Sequence, residues 1–100
     1  MTMTWGVVCN PGVKRSVSLA KDVTEFLQQH GTVLVEQAIA DEIQQKGSSF
    51  KEINKNADIV VTIGGDGTVL MAMSEIEKPV FAINSGGIGF LCEVESKYAF

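Results

Sequence analysis

Residues 58–64, Asp-Ile-Val-Val-Thr-Ile-Gly, are apolar almost throughout and rich in β-branched side chains. Such a run reads as a strand covered on both faces, which belongs in a parallel sheet flanked by helices. The rest of the chain supplies partners for it. "WGVVCN" (5–10) predicts a short buried strand stopped by the turn-forming Asn10-Pro11-Gly12, and "TVLVE" (32–36) predicts the next. "VFAIN" (80–84), opened by Pro79, and "FLCEV" (90–94) extend the series. Between the first two strands, Val17, Ala20, Val23, Phe26 and Leu27 recur at three- and four-residue intervals. That spacing predicts an amphipathic helix from Lys14 to His30, with Phe26 and Leu27 in the core and Gly31 as its C-cap. "QAIADEIQQK" (37–46) predicts a weaker helix and "FKEINKNA" (50–57) a helical turn. "TVLMAMSEI" (68–76) predicts a helix that sends Met71 and Met73 into the core.

Strands alternating with helices argue for an α/β fold, an open and mostly parallel sheet flanked by helices. In such sheets the loops at the carboxyl ends of the strands share one edge, where ligands bind. Residues 10–15, 64–68 and 84–89 are therefore expected to lie near one another.

Size and charge narrow the function. One hundred residues suit one small domain, burying roughly two-thirds of its unfolded surface. The formal net charge of −4 supplies no general attraction for nucleic acid or an anionic membrane, so neither is expected as a partner. Any bound anion must be held by local geometry. Cys9 and Cys92 have no paired spacing for a metal site or disulfide, and they read as buried thiols of an intracellular protein. No basic leader and no apolar run of membrane-spanning length is visible, so the expected location is cytoplasmic.

Two glycine-rich loops stand out. In Gly64-Gly65-Asp66-Gly67-Thr68 the glycines permit close backbone approach to a phosphate, and the following helix offers unpaired N–H groups. Asp66 has two readings. It caps the helix, or it faces a divalent cation or a substrate hydroxyl beside the phosphate, as phosphoryl transfer requires. "INSGGIGFL" (83–91) combines Gly86, Gly87 and Gly89 with the amide of Asn84 and the ring of Phe90, and reads either as a plain turn or as a second nucleotide loop. Lys14 and Arg15 oppose the dipole of the helix they begin, a local cost that a bound phosphate would relieve; the alternative is a solvated pair. His30, the one histidine, sits at a helix end where a capping role outweighs catalysis. No catalytic triad and no metal cluster can be assembled from the sequence.

"GGDGTVL" (64–70) followed by "NSGGIGFL" (84–91) resembles the paired blocks of the NAD kinases, in the same order and at similar separation. Ile88 departs mildly from the commoner leucine, and residues 1–57 match by layout only. The resemblance implies a Rossmann-like, phosphofructokinase-like nucleotide-binding domain over residues 1–100. It also implies phosphorylation of the adenosine ribose 2′-hydroxyl of NAD by ATP or polyphosphate, with a divalent metal such as Mg²⁺. Asp66 would activate that hydroxyl, while Gly64, Gly65, Gly67 and Thr68 approach phosphate and Leu70, Phe90 and Leu91 line the dinucleotide pocket. Asn84, Lys14 and Arg15 complete the expected binding set.

Phosphofructokinases and lipid kinases of the diacylglycerol and sphingosine type share the first loop. The latter also share Asn10-Pro11, but the second block favours NAD kinase. The family's β-rich C-terminal domain, with its Asn-Glu signature, has no counterpart in this sequence. Weak or absent turnover is therefore expected of this chain alone, and a homo-oligomer of the full-length enzyme. The reading from a different class is a non-catalytic nucleotide-binding module.

Overall fold

The computed structural model describes residues 3–84 and 91–94; for Asp66, Asn84 and 91–94 it describes the backbone only. Ten elements follow in order: β1 (Met3–Cys9), α1 (Lys14–Gln28), β2 (Gly31–Glu36), α2 (Gln37–Glu42), β3 (Gly47–Ser48), α3 (Phe50–Asn56), β4 (Ile59–Gly64), α4 (Asp66–Glu75), β5 (Val80–Asn84) and β6 (Leu91–Val94). They form a six-stranded sheet in the order β3-β2-β1-β4-β5-β6. The pairs from β3 through β5 are parallel, and β6 runs antiparallel to β5. The expected open, mostly parallel α/β sheet is what forms. Starting from β1, the chain winds outward to β2 and β3, then returns to lay β4 on the other side of β1.

Two apolar cores sandwich the sheet. On one face α1 and α2 bury Ala20, Ile39, Ala40 and Ile43 against Val7, Val35, Val61 and Ile63. On the other, Ile53 and Ala57 at α3 and Ala72 and Ile76 at α4 cover Val8, Val60 and Val80. Alternate residues of β1 and β4 feed opposite cores, which is why both strands read as continuous apolar runs. At Gly6 a Cβ would lie 2.5 Å from Ile53 Cγ2, so glycine there lets α3 settle onto the central strand.

Several local expectations are corrected. The face of α1 that lies deepest is Ser16, Ala20 and Thr24, small residues four apart that bring the helix backbone close to the sheet. The larger apolar residues therefore sit at its flanks. Leu27 is half-buried, but Phe26 is 60% exposed and meets His30 with ring centroids 4.9 Å apart. Beside Phe26, an apolar groove of about 410 Å³ runs over Trp5, Ile59 and Phe81. The C-cap of α1 is Gln29, and Gly31 opens β2 opposite Met3. Helix α2 ends at Glu42, short of the expected Lys46, because Gln44 takes a left-handed φ of 58°. The N–H of Gln45 then donates back to the Ala40 carbonyl at 2.9 Å, a helix-ending bond that no glycine announces. The two-residue β3 is an addition; a strand that short carries no periodicity. Helix α3 is a full helix opened by a reciprocal cap: Ser49 Oγ accepts from Glu52 N–H and Glu52 Oε1 from Ser49 N–H, both at 3.1 Å. Met73 packs on the second core, whereas Met71 is exposed.

Candidate functional site: a cleft where the strand order reverses

The chain's winding reverses between β1 and β4, and helices there leave on opposite faces of the sheet. Open α/β sheets bind ligands at such a point. A cleft of about 510 Å³ occupies it. Cys9, Asn10 and Pro11 contribute from the end of β1, Glu36 from the end of β2, Ala38 from α2, and Phe50 from α3. Gly65, Gly67, Thr68 and Met71 contribute from the start of α4. A volume of that order suits a nucleotide-sized ligand.

The turn into α4 is built by Gly64. Its φ of +145° is one that L side chains rarely adopt, and a Cβ there would come within 2.7 Å of Thr68 Oγ1. This lets β4 turn into α4 in a single residue. Gly65 is the N-cap, and its carbonyl accepts from Thr68 N–H at 3.1 Å and Val69 N–H at 3.3 Å. Asp66 is thus the first residue of the helix, and the cap position one residue earlier carries no side chain. The N–H groups of Asp66 and Gly67 lie ahead of the first helical hydrogen bond of α4, and that end of the helix lines the cleft.

Gly65 and Gly67 differ from Gly64. Neither has a positive φ, and a Cβ on either would meet nothing within 4 Å among the described residues. The described packing does not demand glycine at these two positions. What their bareness does is leave open the backbone wall that faces the cleft.

Asn10 is held by an Asx turn in which its Oδ1 accepts from Gly12 N–H at 2.9 Å, so its NH₂ is the end that can donate to a ligand. Glu36 is 9% exposed, and its Oε2 accepts from Ala38 N–H at 3.1 Å. Burial pushes the Cys9 thiol up to about 12, so at neutral pH it is a protonated wall residue and not a nucleophile.

The expected site residues are distributed unevenly. Gly65, Gly67 and Thr68 line the cleft. Gly64 is buried behind them and pairs in register with Asn84, which in turn pairs with Leu91, so the two motif blocks are joined across β4, β5 and β6. Asp66 holds its place between the two cleft-lining glycines; its side chain, like those of Asn84 and Leu91, lies outside what is described. Phe90 and the loop 85–89 lie outside the described residues. Lys14 and Arg15 are exposed on the first turn of α1 and are not among the cleft's described lining; Leu70, 69% exposed, is not either. Glu36, Phe50 and Met71 were not anticipated there. A carboxylate closing the strand "TVLVE" was the available signal for the first.

Among the described residues no group of three or more His, Cys, Asp or Glu side chains is placed to hold a metal ion. Mg²⁺ does not need one, since it commonly binds through one or two carboxylates together with substrate phosphates. Asp66, whose backbone lies between the two cleft-lining glycines, is the carboxylate that the sequence offers there. No helix among the described residues is long and apolar enough to cross a membrane.

The family model for the ATP-NAD kinase N-terminal domain matches residues 5–100. An NAD kinase of Methanothermobacter thermautotrophicus is 36% identical over 103 residues, covering 98% of this chain and 36% of that protein. One from Chlorobium phaeobacteroides is 36% identical over 95 residues, covering 91% of this chain and 33% of that protein. The chain thus spans about a third of the length of these curated relatives. The crystal structure of yeast NADH kinase complexed with NADH superposes with a TM-score of 0.78 at 22% identity, covering 96% of this chain and 35% of that one, a likeness of fold. The lipid-kinase alternative draws no support from these relatives. With its fold, its two motif blocks and a family-model match that spans residues 5–100, this chain belongs to the ATP-NAD kinase N-terminal domain family.

Proposed function

We propose that this chain is the nucleotide-binding part of an NAD kinase, which moves a phosphoryl group from ATP or polyphosphate to the adenosine ribose 2′-hydroxyl of NAD. The observation that carries the reading is the bareness of Gly65 and Gly67. At the N-cap, Gly65 is favourable in its own right; Gly67, inside the first turn, costs up to about 1 kcal/mol relative to alanine, and no packing among the described residues offsets that. A phosphate that must touch the backbone does.

On this reading each part of the cleft has its own role. The N–H groups at the start of α4 and the Asn10 amide receive phosphate oxygens. Thr68, buried beneath the turn, holds its shape. Asp66 accepts the proton of the attacking ribose hydroxyl as the new O–P bond forms and the donor's bridging P–O bond breaks. A bound divalent cation would supply charge neutralisation of the phosphates, held by Asp66 and the nucleotide. To the same reading belong residues 1–100 as one domain of a longer, cytoplasmic, homo-oligomeric enzyme, with much of the NAD pocket supplied from outside this chain. The net charge of −4 disfavours nucleic acid or an anionic membrane as partner.

Calorimetric titration of the chain with Mg-ATP tests the central point. Gly65→Ala and Gly67→Ala are expected to keep the wild-type circular dichroism spectrum while losing ATP affinity tenfold or more. Unchanged affinity in both variants would remove the phosphate from this wall.

A further inference from the structure

The cleft has a second polar end that phosphate chemistry does not use. Glu36 closes β2, two strands away from the glycine wall at β4, a lateral separation of about 10 Å at ordinary strand spacing. The residue is nearly buried yet lines the open cleft. One oxygen, Oε2, is fixed by Ala38 N–H at 3.1 Å; Oε1 makes no hydrogen bond among the described residues. Capping of the six-residue α2 does not account for the choice of residue, because serine, threonine, aspartate and asparagine are the side chains that serve best there. An ionised carboxylate only accepts hydrogen bonds, and one facing a cleft from a mostly buried position calls for donors from whatever enters.

Phosphate is the wrong guest for that end. It offers no donor and repels the charge, and Asn10 with the start of α4 already provides donors at the other end. Vicinal hydroxyls fit. Between the two ends Pro11, Ala38, Phe50 and Met71 provide apolar and aromatic surface. A ribose with its phosphate chain bridges the distance; inorganic phosphate alone does not.

Resting on the phosphoryl-transfer reading above, we propose that Glu36 receives the ribose hydroxyls of the donor nucleotide, so that the nucleotide lies across the end of β1 with its sugar at β2 and its phosphates at α4. The site is then selective for a ribonucleotide at one end and indifferent to the sugar at the other.

The test compares ATP, 2′,3′-dideoxy-ATP and inorganic triphosphate, each with Mg²⁺, by calorimetric titration of the wild-type chain and of Glu36→Gln, which keeps an oxygen for Ala38 N–H. Wild type is expected to bind ATP about tenfold more tightly than the dideoxy compound, the scale of hydrogen bonds to a charged acceptor. In Glu36→Gln that gap should shrink to about twofold, with triphosphate affinity unchanged. The wild-type gap is decisive without the variant: ATP and dideoxy-ATP binding alike would overturn the role of Glu36 while leaving the phosphate wall standing. A gap that persists in Glu36→Gln would overturn it too. Binding of neither ATP nor triphosphate would instead bring down the nucleotide reading, and this one with it.

Discussion

At the scale of single residues, the glycine motif declared itself in sequence and Glu36 did not. Gly64, Gly65 and Gly67 stand out because glycine directly after a buried strand has few structural uses, whereas a glutamate after "TVLV" looks like any solvated acid until the fold brings it into the cleft. The motif also concealed a distinction. Gly64 serves the fold through its φ, and the other two serve the space in front of them. Asp66→Asn separates the two readings of that residue. As an acceptor of the hydroxyl proton it should lose turnover by orders of magnitude in the longer enzyme, measured as NADP formation, with melting temperature held within a few degrees. Retained activity with a small stability change would mark a merely structural aspartate. Cys9 gives a pH signature. Its folded value of about 12 lies above the ordinary 9.0, so its contribution to stability is complete below pH 9 and is lost as pH rises toward 12. Melting curves between about pH 8 and pH 10 should fall more steeply for wild type than for Cys9→Ala.

At the scale of elements, long apolar strands and helix starts were legible, and helix ends were not. Ser49 and Glu52 form a reciprocal cap that turns an expected helical turn into a seven-residue helix. Ser49→Ala should cost about 1 kcal/mol in denaturant unfolding with no change in nucleotide affinity. The end of α2 went unread because a glutamine, not a glycine, adopts the left-handed conformation there. The core face of α1 was legible except at Phe26: Val17, Ala20, Val23 and Leu27 pack on the core, while the small Ser16 and Thr24, which lie deepest beside Ala20, are invisible to a search for large apolar residues. Close packing of another kind appears at Gly6. Gly6→Ala pushes a methyl into the stiff, fully buried Ile53 and should cost 1–3 kcal/mol, roughly the range for overpacking. Equilibrium unfolding of the variant checks it.

At the scale of the whole molecule, alternation of strands and helices announced a parallel sheet, yet not which strand lies in the middle. That depends on the return from β3 to β4, a long-range event with no local signature. The position of the cleft follows from it. The chain spans about a third of the length of its curated relatives. If it is one domain of a longer enzyme, as proposed, it should form NADP at a rate orders of magnitude below a full-length relative under the same conditions. The cleft's walls also come from opposite layers: Ala38 belongs to the helix rooted in one core, Phe50 and Met71 to helices rooted in the other. A guest seated there clasps together two halves that lie on opposite faces of the sheet, so filling it would stiffen both sides of the molecule at once, far beyond the atoms it touches.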